Sequence, residues 1–178
     1  GGNRQEIVSL LHGVSDSPNF RHSDMADVDI PQEEADELIA MEKRYTGPDT
    51  VDYPGGGEKL KMKCESPDEA ERFHLDVYRG RIELEKVHHN FRARTAVPLL
   101  RLDLNASPHQ NPDGEKVGRT HLHVYREGYG DAWAYEVPDD AFGDLENLEH
   151  PEDFVRTLYD FMTHANITQP PTVNPHLF

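Results

Sequence analysis

An α+β domain built on a mainly antiparallel sheet is the fold class this sequence predicts, and three features predict it. The central stretch alternates apolar and polar residues with a period of two, apolar residues recur at helical spacing near each end, and the connections are mostly too short for the helical crossovers that parallel neighbours need. The chain has 178 residues, a length that suits one domain. Hydrophobic residues make up 35% and charged residues 29%, enough for one core but with ends too polar to pack into it. The expected organisation is a flexible extension over 1–28, a single α+β domain over 29–168 and a C-terminal tail over 169–178.

Each element follows from local chemistry. At Asp29 the pattern turns helical: Asp29 can cap, Pro31 suits a first turn, and Ala35, Leu38 and Ile39 recur at helical spacing, so a helix is predicted over about 31–43. Tyr45 to Gly57 ends in Gly55-Gly56-Gly57 and is a predicted loop. A glycine run can cradle phosphate, but no Gly-Lys-Ser/Thr and helix follow, so it is taken as a linker. Leu60, Met62 and Cys64 alternate with Lys59, Lys61 and Lys63, and Phe73, Leu75 and Val77 with His74, Asp76 and Tyr78, which predicts two half-buried strands. Arg79-Gly80 is a candidate turn into a strand at Ile82 and Leu84. Further strands are predicted at Leu100–Leu104, Leu122–Val124 and Trp133–Val137, about six in all. His88 to Ala96 and Ala106 to Arg119 are predicted as long loops. Phe154, Val155, Leu158, Phe161, Met162 and Ala165 form a helical stripe after Pro151, predicting a C-terminal helix packed on one sheet face, and Pro170-Pro171 ends it.

Charge and cysteine content narrow the functional classes. Asp and Glu number 34 against 18 Lys and Arg, a net charge of -16, so the average surface repels nucleic acid and anionic membrane, and a polyanion partner must meet a local basic island. High acid with only six lysines also suits a salt-rich cytoplasm. One cysteine, Cys64, excludes an intramolecular disulfide and fits a reducing compartment, with a strand position that predicts a buried thiol. No window carries the roughly 18 apolar residues of a membrane span. The expected location is the cytoplasm.

Pleating sends the neighbours of the apolar strand residues to a second sheet face, where the candidate chemistry lies. That face is expected to carry His74, Asp76, Tyr78, Glu83, Glu85, Arg101, Asp103, His121, His123 and Tyr125. The plain alternative is a solvated face with cross-strand ion pairs. His121-Leu122-His123 puts two imidazoles on one side of a strand, a spacing that chelates transition metals, and His74 or His109 can complete such a site. Glu127 follows as in the first cupin motif, but the second cupin motif is missing. Between Lys86 and Leu102 no acidic residue occurs, and Arg92, Arg94, His88 and His89 there form a candidate phosphate-binding island. With His121, His123 and Glu127 for proton transfer and Arg101 for phosphate charge, the residue set needed for metal-independent RNA cleavage is present.

The most distinctive runs are Val97-Pro98-Leu99-Leu100-Arg101-Leu102-Asp103, Pro108-His109-Gln110-Asn111-Pro112-Asp113-Gly114, and Thr120-His121-Leu122-His123-Val124-Tyr125-Arg126-Glu127-Gly128-Tyr129-Gly130-Asp131-Ala132-Trp133. On these runs the chain resembles a widespread family of bacterial, archaeal and phage domains of unknown function, from about Gln32 through Phe178. The resemblance implies no catalytic role for any residue. In order of helix, sheet and polar open face, the chain also resembles barnase-like small ribonucleases and toxins, an analogy of architecture.

Three functions therefore compete, and the sequence leaves open whether the chain is an enzyme. The first is nucleic-acid binding or metal-independent RNA cleavage, in a mobile-element or defence setting, with RNA as partner and no cofactor. The second is a non-catalytic domain that binds a protein partner or nucleic acid through the basic span and the aromatic set Tyr125, Tyr129, Trp133 and Tyr135. The third is a divalent transition-metal site at His109, His121 and His123.

Overall fold

The computed structural model describes residues 29–138 and 141–176, so the predicted 1–28 extension lies outside the described residues. The domain is α+β, with helices α1 (Gln32–Ala40) and α2 (Pro151–His164) and a mainly antiparallel eight-stranded sheet. In chain order the sheet strands are β1 (Lys43–Tyr45), β3 (Lys59–Glu65), β4 (Arg72–Arg79), β5 (Val87–Ala93), β6 (Val97–Leu104), β9 (His121–Val124), β10 (Ala134–Glu136) and β11 (Ile167–Gln169). Their spatial order is β10-β9-β6-β5-β4-β3-β1-β11, so the middle of the sheet is an antiparallel meander. Two small ribbons complete it: β2 (Thr50–Asp52) pairs in parallel with β12 (Thr172–Asn174), and β7 (His109–Gln110) pairs with β8 (Lys116–Val117).

One face of the sheet packs the core. Phe73, Leu75 and Val77 on β4, Val87, Phe91 and Ala93 on β5, and Leu102 and Leu122 on β6 and β9 are buried with Leu38 of α1 and Phe154, Leu158 and Phe161 of α2. On β4 and β5 burial alternates because the intervening side chains point away from the helices. Glu152 and Asp153 sit in the first turn of α2, where negative charge is favoured, and the Asp153 carboxylate accepts from His150 N at 2.9 Å. Cys64 is buried as expected, and burial pushes its thiol up to about 12.

Four local expectations are corrected. The strand placed at Ile82 and Leu84 is a turn: Gly80 N donates to Lys86 O at 2.7 Å, and Ile82 is 92% exposed at its tip. The loop expected over His88 to Ala96 is largely strand β5, whose alternation is masked in the sequence by His89 among the apolar positions. The loop expected over Ala106 to Arg119 carries the β7–β8 hairpin. Beyond Pro170-Pro171 the chain forms β12, paired with residues of the loop expected at Tyr45 to Gly57.

Candidate metal centre

The second face divides into an open half on β3–β5 and a covered half on β6 and β9. Register fixes the covered half: Arg101 lies opposite His123 and Asp103 opposite His121, while Leu102 faces Leu122 on the helix side. His121 and His123 thus share the face opposite Leu122, as the alternation predicts, yet they are only 1% and 0% exposed. Their lid is the segment 105–120. Asn111 clamps it to the sheet edge, donating from Nδ2 to Ala134 O at 2.9 Å and accepting from Ala134 N at 2.8 Å. Gly114 N closes the predicted Asn111–Gly114 turn onto Asn111 O at 2.8 Å, with Gly114 at φ 93°, where glycine is unstrained.

The hairpin brings His109 over the two strand histidines. Ring centroids are 5.6 Å apart for His109 and His121, 4.7 Å for His109 and His123, and 4.9 Å for His121 and His123. One nitrogen from each ring lies within 4.8 Å of the others. Each ring also has one nitrogen on a backbone carbonyl: His121 Nδ1 on Gly118 O at 2.7 Å, His123 Nδ1 on Asp131 O at 2.8 Å, and His109 Nε2 on Ala132 O at 2.9 Å. A carbonyl oxygen only accepts, so those nitrogens carry the proton. The lone pairs of the neutral rings are then His121 Nε2, His123 Nε2 and His109 Nδ1.

Negative charge adjoins these lone pairs. Asp103, 5% exposed, places Oδ2 3.4 Å from Nε2 of both His121 and His123, and its Oδ1 accepts from His88 Nδ1 at 2.7 Å. Burial alone would raise the Asp103 carboxyl, but the imidazoles packed around it, His121, His123 and His88, and the Arg101 charge outweigh it, holding it below the usual carboxylate range. Arg101 supplies fixed positive charge, donating to His123 Nε2 at 2.8 Å and to Asp131 Oδ2 at 2.6 Å. His123 is held below the ordinary imidazole value by burial first and by Arg101 next, against the pull of Asp103.

The remaining expected site residues are dispersed. Glu127 is at the start of α1, where its Oε2 accepts from Gln32 N at 2.9 Å and its N–H donates to Gln32 Oε1 at 3.0 Å. Arg92 pairs with Asp76 at 3.2 Å and donates to Thr95 O. Arg94 is held at 2.7 Å by both Glu71 and Glu34. His88 stays on the second face with Asp103, whereas His89 is buried on the helix side against Phe161, because consecutive strand residues point oppositely. The acid-free sequence span therefore meets carboxylates from other strands and from α1. Of the expected aromatic surface, Tyr125 is buried, its hydroxyl donating to Ile30 O at 2.7 Å. Asp131 joins the cluster through Arg101 and the His123 ring, a contact that the alternation of the strands does not single out.

An antiparallel α+β domain with a lidded histidine and aspartate cluster is the class that fold and site define. The chain belongs to a family of unknown function (DUF6978), which matches residues 30–167. That match includes both strand histidines and the hairpin, and ends before β12. No curated protein matches the chain, and no solved structure matches it.

Proposed function

We propose that this domain binds one divalent transition metal ion of the zinc class, held by His109 Nδ1, His121 Nε2 and His123 Nε2, with Asp103 beside them as the carboxylate donor. The observation that carries the proposal is a cluster of three rings, one nitrogen of each within 4.8 Å of the others, in which each ring is also hydrogen-bonded to a carbonyl oxygen that fixes its tautomer. Metal-ligating histidines characteristically give their other N–H to such an acceptor, which orients the ring and raises its basicity. Zinc needs nitrogen donors at about 2.0–2.1 Å in a tetrahedral set, which side-chain rotations bring within reach of rings already this close. Two lone pairs beside a buried carboxylate also call for positive charge. Arg101 answers part of that demand, and a metal ion at His123 Nε2 replaces that hydrogen bond while Arg101 keeps Asp131.

Burial favours a structural over a catalytic ion. A catalytic zinc keeps an open coordination position, whereas His121 and His123 are closed over by the hairpin. The ion's role is then to fasten the β7–β8 hairpin to β9. The RNA-cleavage set is less well supported, since a 2′-OH must reach its general base and the arginines offered to phosphate are already paired. Protein purified without a polyhistidine tag is expected to carry about one equivalent of zinc by elemental analysis. His121→Ala with His123→Ala should abolish it and lower the thermal midpoint, while chelator lowers the wild-type midpoint alone. Absence of stoichiometric metal after incubation with zinc, cobalt and nickel overturns the proposal.

A further inference from the structure

The open half of the second face forms a grid set by register. Lys59, Tyr78 and His88 lie across β3, β4 and β5 in one row, Lys61, Asp76 and Asn90 in the next, and Lys63, His74 and Arg92 in the third. The three lysines are exposed, and among the described residues no carboxylate lies within ion-pair distance of their ammonium groups. They are half of the six lysines in a chain of net charge -16. The single acid inside the grid, Asp76, is held by Arg92 at 3.2 Å, and Glu58 and Glu65 stand only at the ends of the lysine row. Next to the lysines Tyr78 is 37% exposed and stacks on His88, with centroids 6.2 Å apart and an interplanar angle of 20°.

We infer that the β3–β5 face is a binding platform for single-stranded nucleic acid, with Lys59, Lys61 and Lys63 tracking the phosphates and the Tyr78–His88 pair stacking a base. Alternate residues along a strand are roughly 6.6 Å apart, which gives a regular row of cations along a backbone. A basic track beside flat rings on an open sheet is the combination that recognises unpaired strands, because every base has a face to stack and a duplex hides it. Asn90 and His74 add hydrogen-bonding groups on the same surface. A protein this acidic repels polyanions elsewhere, so the unpaired row also orients the approach. None of the nine grid residues is a proposed metal ligand, so this inference stands or falls separately from the metal proposal.

Fluorescence anisotropy with labelled oligouridine, oligothymidine and a matched duplex tests it on the full chain. At roughly 50 mM salt the single strands should bind, the duplex at least about tenfold more weakly, and affinity should fall steeply with added salt. The triple variant Lys59→Glu, Lys61→Glu, Lys63→Glu changes exposed side chains only, and should lose binding with its circular dichroism unchanged. Milder Lys→Gln changes at the same positions should lower the salt slope by about 2, since each phosphate contact on a single strand contributes roughly 0.7. Tyr78→Ala should weaken binding about tenfold without altering that slope. No binding at low salt, unchanged binding in the triple Glu variant, or equal binding to duplex with Tyr78→Ala silent overturns the inference, the last result showing simple polyanion attraction.

Discussion

His89 is a titratable side chain placed where water cannot reach it: 0% exposed, neither ring nitrogen hydrogen-bonded, its ring 5.4 Å from that of Phe161. Burial, helped by the neighbouring His88 charge, pushes its pKa down to about 3 from the ordinary 6.5. Because the folded value is depressed, the unfolded chain takes up this proton first. The stabilisation is complete above about pH 6.5 and is lost as pH falls toward 3, at up to about 1.4 kcal/mol per pH unit. His89→Leu should therefore flatten the acid limb of stability. Urea unfolding at about pH 7.5 and pH 5 is expected to show wild type losing roughly 2 kcal/mol relative to the variant over that interval; parallel behaviour of the two proteins would refute it. Adjacent histidines look alike in sequence, and only their strand assignment separates the buried His89 from His88 on Asp103. By contrast, the common face of His121 and His123 was legible, since Leu122 and Val124 had to take the core side.

At the scale of elements, two side chains do the work of backbone. Asn111 completes the edge of β10: its amide meets both Ala134 N and Ala134 O, as the next strand would, and the contact is buried. Asn111→Ala leaves both groups unsatisfied and should cost about 1–3 kcal/mol by chemical denaturation. It should also weaken metal binding, because His109 lies two residues away on the same hairpin. Asn111→Asp keeps the acceptor for Ala134 N but sets a carboxylate against Ala134 O, so it should not restore the loss. Lys43 plays a similar part between the helices, donating from Nζ to Ile39 O at 2.6 Å near the end of α1 and to Ala165 O at 2.8 Å at the end of α2. The Asn-Pro-Asp-Gly turn was readable, as turn chemistry is local. The two-residue strands around it were not, because alternation needs more residues than they have, and the amide clamp depends on a contact across 23 residues.

For the molecule as a whole, class and layer order followed from periodicity, while the sheet's far edge did not. β1 and β11 are three residues each and pair in parallel across more than a hundred positions, as do β2 and β12, and no local pattern records such partners. Global charge is legible from composition alone, and it makes a prediction of its own. With 34 acidic residues against 18 basic, the folded state confines more mutual repulsion than the expanded chain does. The ion pairs that salt would weaken are mostly partly exposed, such as Arg94 with Glu71 and Arg156 with Asp153, and pairs of that kind contribute little. Raising ionic strength from about 0.1 M to 1 M shortens the screening length from roughly 10 Å to 3 Å, so relief of repulsion should outweigh lost pairing. The thermal midpoint in potassium chloride is thus expected to climb by several degrees, about 2–4 °C for each 1 kcal/mol gained. Chloride is the appropriate anion, because sulfate strengthens apolar burial in any protein and would hide the effect. A midpoint that falls with potassium chloride would show that the paired cations outweigh the excess of acid, and would count against an origin in salt-rich cytoplasm.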